Sequence, residues 1–253
     1  MTPLGIIGGT GVDELEGLEL RASHEVQTPY GSPSRAIQEG VFAGAPVYFL
    51  QRHGSPRAIP PHDINYRANL LALHSLGVKE VVAINAVGGI TPAMVPGCLV
   101  IPHQLIDYTW GREHTVDEGG DQGLKHIDFT EPYDRQLRQL LIAVAEEAGI
   151  PHIAEGVYGA TQGPRLETAA EIRRMARDGC DLVGMTGMPE ASLARELGLA
   201  YASICMVVNP AAGLSEQPIS LDMMRETLER EAGAVRNLLQ QLLRARVAQG
   251  LGS

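Results

Sequence analysis

The chain has 253 residues, 44% hydrophobic and 20% charged. That suffices for one large α/β domain or two small ones and excludes a disordered chain. With 20 Lys and Arg against 30 Asp and Glu, the net charge is −10. This argues against a nonspecific nucleic-acid partner, whose phosphates require a basic face, but not against a small phosphate ligand in a local pocket.

Cys98, Cys180 and Cys205 are far apart and none sits in a C-x-x-C pair. The expectation is free thiols in a reducing cytoplasm, not disulfides or a zinc site. The N-terminus, MTPLGIIGGTG, has no basic stretch of the signal-peptide kind. No apolar run approaches the ~20 residues of a membrane span.

In chain order, Leu4–Ile7 reads as a first strand. Gly8-Gly9-Thr10-Gly11 follows, a turn that can lay backbone N–H groups against an isolated phosphate. The dinucleotide pattern G-x-G-x-x-G fails, because Glu14 stands at its last position. Residues 20–40, with Thr28-Pro29-Tyr30-Gly31-Ser32-Pro33, read as turns linked into a hairpin. Pro46–Leu50 is a strand running out into Arg52-His53-Gly54, a cation whose planar fork matches phosphate oxygens beside a titratable donor. A helix is expected over Asp63–Leu76, with His62 as its cap and Asn65–Asn69 facing a partner subunit.

Val81–Ile84 is a buried-type strand ending at Asn85-Ala86-Val87-Gly88-Gly89. Leu99–Pro102 and Leu105–Tyr108 make a further apolar run. Arg112–Gly123 is charged and aperiodic, a loop of the length that forms lids or interfaces. Leu137, Leu140, Leu141 and Val144 recur at helical spacing within Asp134–Ala148, stopped by Gly149 and Pro151. Val157–Ala160 is a strand leading into Thr161-Gln162-Gly163-Pro164-Arg165-Leu166-Glu167-Thr168, then a helix to Asp178. Glu167 at that helix start suits the helix dipole.

Leu182-Val183 ends in Gly184-Met185-Thr186-Gly187-Met188, and Pro189 opens a helix through Leu197. Such a strand–turn–helix presents Met185 and Thr186 at the carboxyl edge of a sheet, where α/β proteins bind ligands. Tyr201–Val208 is an unbroken central strand ending at Asn209-Pro210-Ala211. A long helix over Leu221–Val247 carries Val235, Leu238, Leu239, Leu242 and Leu243 as its apolar stripe. The alternation predicts one α/β domain over residues 1–253.

Thr10, Arg52, His53, Asn85, Glu167, Thr186 and Asn209 all fall at predicted strand ends. Hydroxyls, Arg and His suit an oxyanion, while Glu and Asn suit a polar heterocycle. No G-x-S-x-G, no H-E-x-x-H and no Cys with a nearby base is present. A reaction without a protein nucleophile fits best, such as phosphorolysis, in which bound phosphate attacks a sugar carbon as a base leaves.

The segments GIIGGTG, RHG, PHDINYRANL, NAVGG, TQGPRLET and GMTGMPEASLARELG, in this order and spacing, resemble the purine nucleoside phosphorylase and methylthioadenosine phosphorylase family. The resemblance spans nearly the whole chain. It implies a mixed central β-sheet flanked by helices, no metal or organic cofactor, and a homotrimer with active sites near subunit contacts. It assigns Thr10, Arg52, His53, Asn85, Ala86 and Thr186 to phosphate, and Met185 to the ribose. Asn209, Pro210 and Ala211 go to the substrate, with Asn209 assisting departure of the base.

At the base end, family members acting on 6-aminopurines carry Asp where this chain has Asn209 and Ala211. An Asn amide donates to O6 or accepts from a protonated N7, whereas an ionised carboxylate cannot donate. Glu167 lies in the G-P-x-x-E-T pattern of 6-oxopurine members and would accept the N1–H that adenine lacks. Leaving it unmet costs roughly 1–3 kcal/mol if buried. At the sugar end, Leu221 stands where a His reaches the 5′-hydroxyl in members using ordinary nucleosides, and His126 matches a position that reaches a neighbour's 5′ pocket. An apolar 5′ end with a 6-oxo base end points to 5′-methylthioinosine. Methylthioadenosine, or inosine and guanosine, remain as other substrates. A non-catalytic purine-binding protein and a nucleoside hydrolase remain as other classes.

Overall fold

The computed structural model describes residues 2–119, 124–216, 219–248 and 250. It contains one 11-stranded mixed sheet. The strands are β1 (Leu4–Gly8), β2 (Glu19–His24), β3 (Ile37–Phe42), β4 (Ala45–Gln51), β5 (Glu80–Gly89), β6 (Leu99–Val100), β7 (Gln104–Asp107), β8 (His152–Ile153), β9 (Val157–Ala160), β10 (Leu182–Gly184) and β11 (Ala200–Pro210). The helices are α1 (Tyr66–Ser75), α2 (Arg135–Glu147), α3 (Ala169–Asp178), α4 (Gly187–Glu196) and α5 (Leu221–Ala248). The mixed sheet flanked by helices is the architecture expected from the sequence.

Side-chain alternation along the strands divides the core in two. Ile6, Val82, Ile84 and Ile204 point to one face, where they pack with α2 and α5 through Leu137, Leu141, Leu238, Leu239 and Leu242. Ile7, Val81, Ala83 and Cys205 point to the other, against α1 and α4 through Leu70, Leu73, Ala191 and Ala194. α5 keeps its 3–4 spacing of buried leucines through its C-terminal half, which explains why so long a helix stays on the sheet.

The site depends on how β5 is paired. β11 runs parallel along one edge from Ala200↔Glu80 to Pro210↔Gly89. On the opposite edge β1 pairs only as far as Ile7↔Ala83. β10 takes over in antiparallel sense at Val183↔Gly88 and Leu182↔Gly89. Between Ala83 and Gly88 that edge has no strand partner among the described residues, so the sheet forks. An unpaired buried carbonyl or N–H there must find another partner.

Several local expectations change. Asn85 is not at a strand end but mid-strand, because β5 continues to Gly89 on the support of β11 and β10. Asn209 is likewise inside β11, just past an irregularity between Val207 and Asn209. Such a bulge re-aims the residues after it. His62 does not cap α1: Asn65 does, accepting from Ala68 N at 3.1 Å. Within the chain, Asn65 donates to Tyr30 O at 2.6 Å and Asn69 accepts from Ser34 N at 2.7 Å, which leaves the expected subunit contact of this segment open. The residues from 20 include a real edge strand, β2, antiparallel to β3. Its mostly exposed faces gave no apolar alternation to read.

The regular part of α4 begins at Pro189, as expected, since Met188 is non-helical. Among the described residues no helix is long and apolar enough to cross a membrane.

Gly9 lies inside the fork. A Cβ there would sit 2.4 Å from Ile84 O and 2.7 Å from Arg52 Nη1, contacts that demand displacement. Gly9→Ala is expected to cost about 1–3 kcal/mol of overpacking, read as a lowered urea midpoint at unchanged m-value.

Candidate active site

At the fork, Arg52 is fully buried directly after β4. Its Nε and Nη2 donate to Glu190 Oε2 and Oε1 at 2.7 and 2.9 Å, a two-pronged ion pair with α4. Nη1 donates to Ile84 O at 2.9 Å, satisfying the carbonyl that the fork left without a strand. Glu190 is also fully buried and accepts a third bond from Tyr201 OH at 2.8 Å. Burial alone would lower the Arg52 pKa, but the adjacent Glu190 carboxylate outweighs it and holds the guanidinium above its ordinary range. The cation is therefore permanent, and its charge is already balanced.

His53 follows Arg52. Its Nδ1 lies 2.9 Å from Ile59 O, and since a carbonyl only accepts, Nδ1 carries the proton. Burial, aided by the Arg52 charge and opposed by that hydrogen bond, lowers the imidazole pKa. His53 is thus neutral near pH 7, with Nε2 as its lone-pair face.

Thr186 sits at the N-terminus of α4 without capping it. Its hydroxyl instead donates to Asn85 Oδ1 at 2.8 Å, and Asn85 Nδ2 donates to Ser203 Oγ at 2.6 Å. Tyr158 OH accepts the N–H groups of Thr186 and Gly187 at 3.4 and 3.3 Å.

These groups face one cavity of about 260 Å³. Thr10, Arg52, His53, Asn85, Ala86 and Thr186 line one part of it, and Glu167, Met185, Asn209 and Ala211 another. Pro210 is not among the lining residues, but its carbonyl accepts Asn209 Nδ2 at 2.7 Å. That bond pins the amide while leaving it a second N–H and Oδ1. Glu167 is half-buried and accepts Thr161 Oγ1 at 2.6 Å. It precedes the cap of α3, which is Thr168 in a capping box with Glu171, so helix capping is not its task. Leu166, Ile219 and Met224 give the cavity an apolar side. Leu221 opens α5, but its side chain lies outside the described parts. His126 is exposed and does not line this cavity.

A larger hollow of about 480 Å³ lies behind the 161–167 segment, sharing Glu167 with the first. It contains none of Thr10, Arg52, His53, Asn85 and Thr186, and its two arginines are paired, Arg165 with Glu171 at 2.7 Å and Arg174 with Asp178 at 3.6 Å. The smaller cavity is the candidate site. Among the described residues no group of three or more His, Cys, Asp or Glu is arranged to hold a metal.

Sequence reasoning missed three supports. Glu190 lies 138 positions from Arg52; the available signal was a carboxylate inside an otherwise apolar helix turn. Tyr158 reads as an ordinary strand residue. Arg112, assigned to a loop, is instead buried. Its Nη1 donates to Met185 O at 2.8 Å and Met188 O at 2.6 Å, and its Nη2 to Thr161 O at 3.1 Å and Gln162 O at 2.8 Å. One guanidinium thus clamps the turn carrying Met185 and Thr186 to the segment carrying Glu167.

Comparison with known proteins identifies the family. The family model described as the phosphorylase superfamily matches residues 3–244, and the chain belongs to that superfamily. It is 52% identical over 245 residues to a probable S-methyl-5′-thioinosine phosphorylase of Pseudomonas syringae pv. tomato, covering 97% of this chain and all of the relative. It is 42% identical over 244 residues to the 6-oxopurine nucleoside phosphorylase of Pyrococcus furiosus, covering 94% and 91%. Among solved structures, the methylthioadenosine phosphorylase of Schistosoma mansoni in complex with adenine superposes with a TM-score of 0.92 at 35% identity, covering 98% of this chain and 93% of that one.

Removing one partner of a buried ion pair strands the other charge. Glu190→Gln is expected to destabilise the fold by about 3 kcal/mol or more, measured by chemical denaturation. A loss under about 1 kcal/mol, the range of an exposed pair, would mean that Arg52 finds another partner.

Proposed function

We propose that this chain catalyses the phosphorolysis of S-methyl-5′-thioinosine, giving hypoxanthine and 5-methylthioribose 1-phosphate. The observation that carries the reading is the union, in one cavity, of an oxyanion set at the sheet fork with Glu167 and Asn209 at the opposite part and apolar Ile219 and Met224 beside them. The names of the S-methyl-5′-thioinosine and 6-oxopurine relatives support it.

Phosphate is the co-substrate, held by Thr10, Arg52, Asn85, Ala86 and Thr186, and by the neutral His53, whose Nε2 accepts from a protonated phosphate oxygen. As the glycosidic bond breaks, positive charge builds on the ribose and negative charge on the purine. Phosphate stabilises the first electrostatically. Asn209, pinned through Pro210 O, offers its amide to N7 and O6 and stabilises the second. Met185 packs on the ribose, and Ala211 leaves room at the base. Glu167 accepts the N1–H of a 6-oxopurine and discriminates against adenine. Leu221 is assigned to the 5′-methylthio group.

The Arg52–Glu190 pair makes the oxyanion site rigid without making it strongly cationic, so the phosphate keeps its nucleophilic charge. The chemistry uses no metal or organic cofactor. The chain works as a homotrimer in the cytoplasm, where its thiols stay reduced, and needs neither nucleic acid nor membrane.

Initial rates on methylthioinosine, methylthioadenosine, inosine and adenosine, with and without phosphate, test the reading. Phosphate-dependent release of hypoxanthine from methylthioinosine is expected to dominate. Adenine release from methylthioadenosine at an equal or higher rate would overturn the base-end assignment, and a rate independent of phosphate would indicate a hydrolase.

The double variant Asn209→Asp, Ala211→Asp is expected to shift the inosine-to-adenosine activity ratio toward adenosine by about tenfold, the equivalent of one hydrogen bond's ~1.4 kcal/mol. An unchanged ratio means that these positions do not read the base.

A further inference from the structure

Behind the candidate phosphate site runs a chain of buried polar groups: Thr186, Asn85, Ser203 and Cys205. The Thr186 hydroxyl donates to Asn85 Oδ1 at 2.8 Å. Asn85 Nδ2 donates to Ser203 Oγ at 2.6 Å. Ser203 Oγ lies 3.4 Å from Cys205 Sγ, where either atom can donate. All four side chains are buried. Parallel pairing of β5 with β11 sets Asn85 opposite Cys205, with Ser203 two positions earlier in β11.

In this polarity the Thr186 proton points away from the cavity, toward Asn85. A phosphate oxygen needs that proton, because a hydroxyl that has given its hydrogen elsewhere presents only lone pairs. Every member of the chain, however, is both donor and acceptor: two hydroxyls, an amide and a thiol. Turning the amide end for end and rotating the hydroxyls reverses the whole series without leaving any group unpaired. Cys205 S–H then donates to Ser203 Oγ, Ser203 O–H to Asn85 Oδ1, and Asn85 Nδ2 to Thr186 Oγ1, which frees the Thr186 hydrogen.

We propose that Ser203 is a positioning residue for phosphate: through Asn85 it sets the direction of the Thr186 hydroxyl, and phosphate binding reverses the relay. This rests on the phosphate-site assignment above. Burial pushes the Cys205 thiol pKa up to about 12, so its hydrogen is retained at neutral pH and the far end of the relay can donate. No proton leaves the series; each is re-aimed.

The test is steady-state kinetics on Ser203→Ala, Ser203→Thr and Thr186→Val. Ser203→Ala leaves the amide with nothing to donate to or accept from at its far end. It is expected to raise the phosphate KM about tenfold, about 1.4 kcal/mol, with the nucleoside KM unchanged. Ser203→Thr keeps a hydroxyl and is expected to restore the phosphate KM. In the infrared, phosphate is expected to shift the S–H stretch of Cys205 to lower frequency in the parent chain and in Ser203→Thr but not in Ser203→Ala, with Cys205→Ala assigning the band.

Thr186→Val separates the two levels. If it leaves the phosphate KM unchanged, the site assignment fails and the relay with it. If it raises that KM while Ser203→Ala moves neither KM, or moves both equally, the site stands and the relay is refuted.

Discussion

The buried pair of Arg52 and Glu190 is the contact on which the rest of the site depends. It joins the end of β4 to the first turn of α4 and, through Nη1, closes the orphaned Ile84 carbonyl at the fork. Taking two charges out of water costs several kcal/mol per ion, a cost repaid only when every donor and lone pair is met. Tyr201 supplies the third bond to Glu190. The geometry of the oxyanion set is therefore inherited from the core: the position of Thr186 follows from α4, and that of Asn85 from β5.

A second constraint acts on the base side. The 161–167 segment and the Met185–Met188 turn have no ladder joining their tips, and Arg112 replaces it with bonds to four carbonyls. Together the two arginines fix both walls of the cavity, one chiefly through a carboxylate and the other chiefly through backbone oxygens, with Gln162 Oε1 and Tyr66 OH as further acceptors. The phosphorylase superfamily match over residues 3–244 includes both arginines and Glu190.

Much of the fold was legible because its strands are apolar and its helices amphipathic. β1, β4 and β9 fall where the short apolar runs put them, and α2 and α5 follow their leucine spacing. What the sequence could not show was pairing. Asn85 looks like the residue after a strand because Ala86, Gly88 and Gly89 carry little side chain, yet β11 holds that stretch in the sheet. The edge strand β2 has too little buried surface to leave a pattern. The site residues were readable as short motifs at strand ends, but Glu190 and Ser203 act across 138 and 118 positions, and no local spacing encodes such a contact. Arg112 stood in a segment without periodicity, where a charged residue reads as solvated.

The fork in the sheet has a mechanical meaning as well. From Ile84 to Val87, one margin of the central strand is a seam that no strand among the described residues closes, and Ala86 shares the margin on which Ile84 presents its carbonyl. On the proposed phosphate assignment, an oxyanion there supplies the acceptor that a neighbouring strand would have given. On that assignment the ligand is an added rung at the margin of a sheet that β11 already holds together along the other side of the strand.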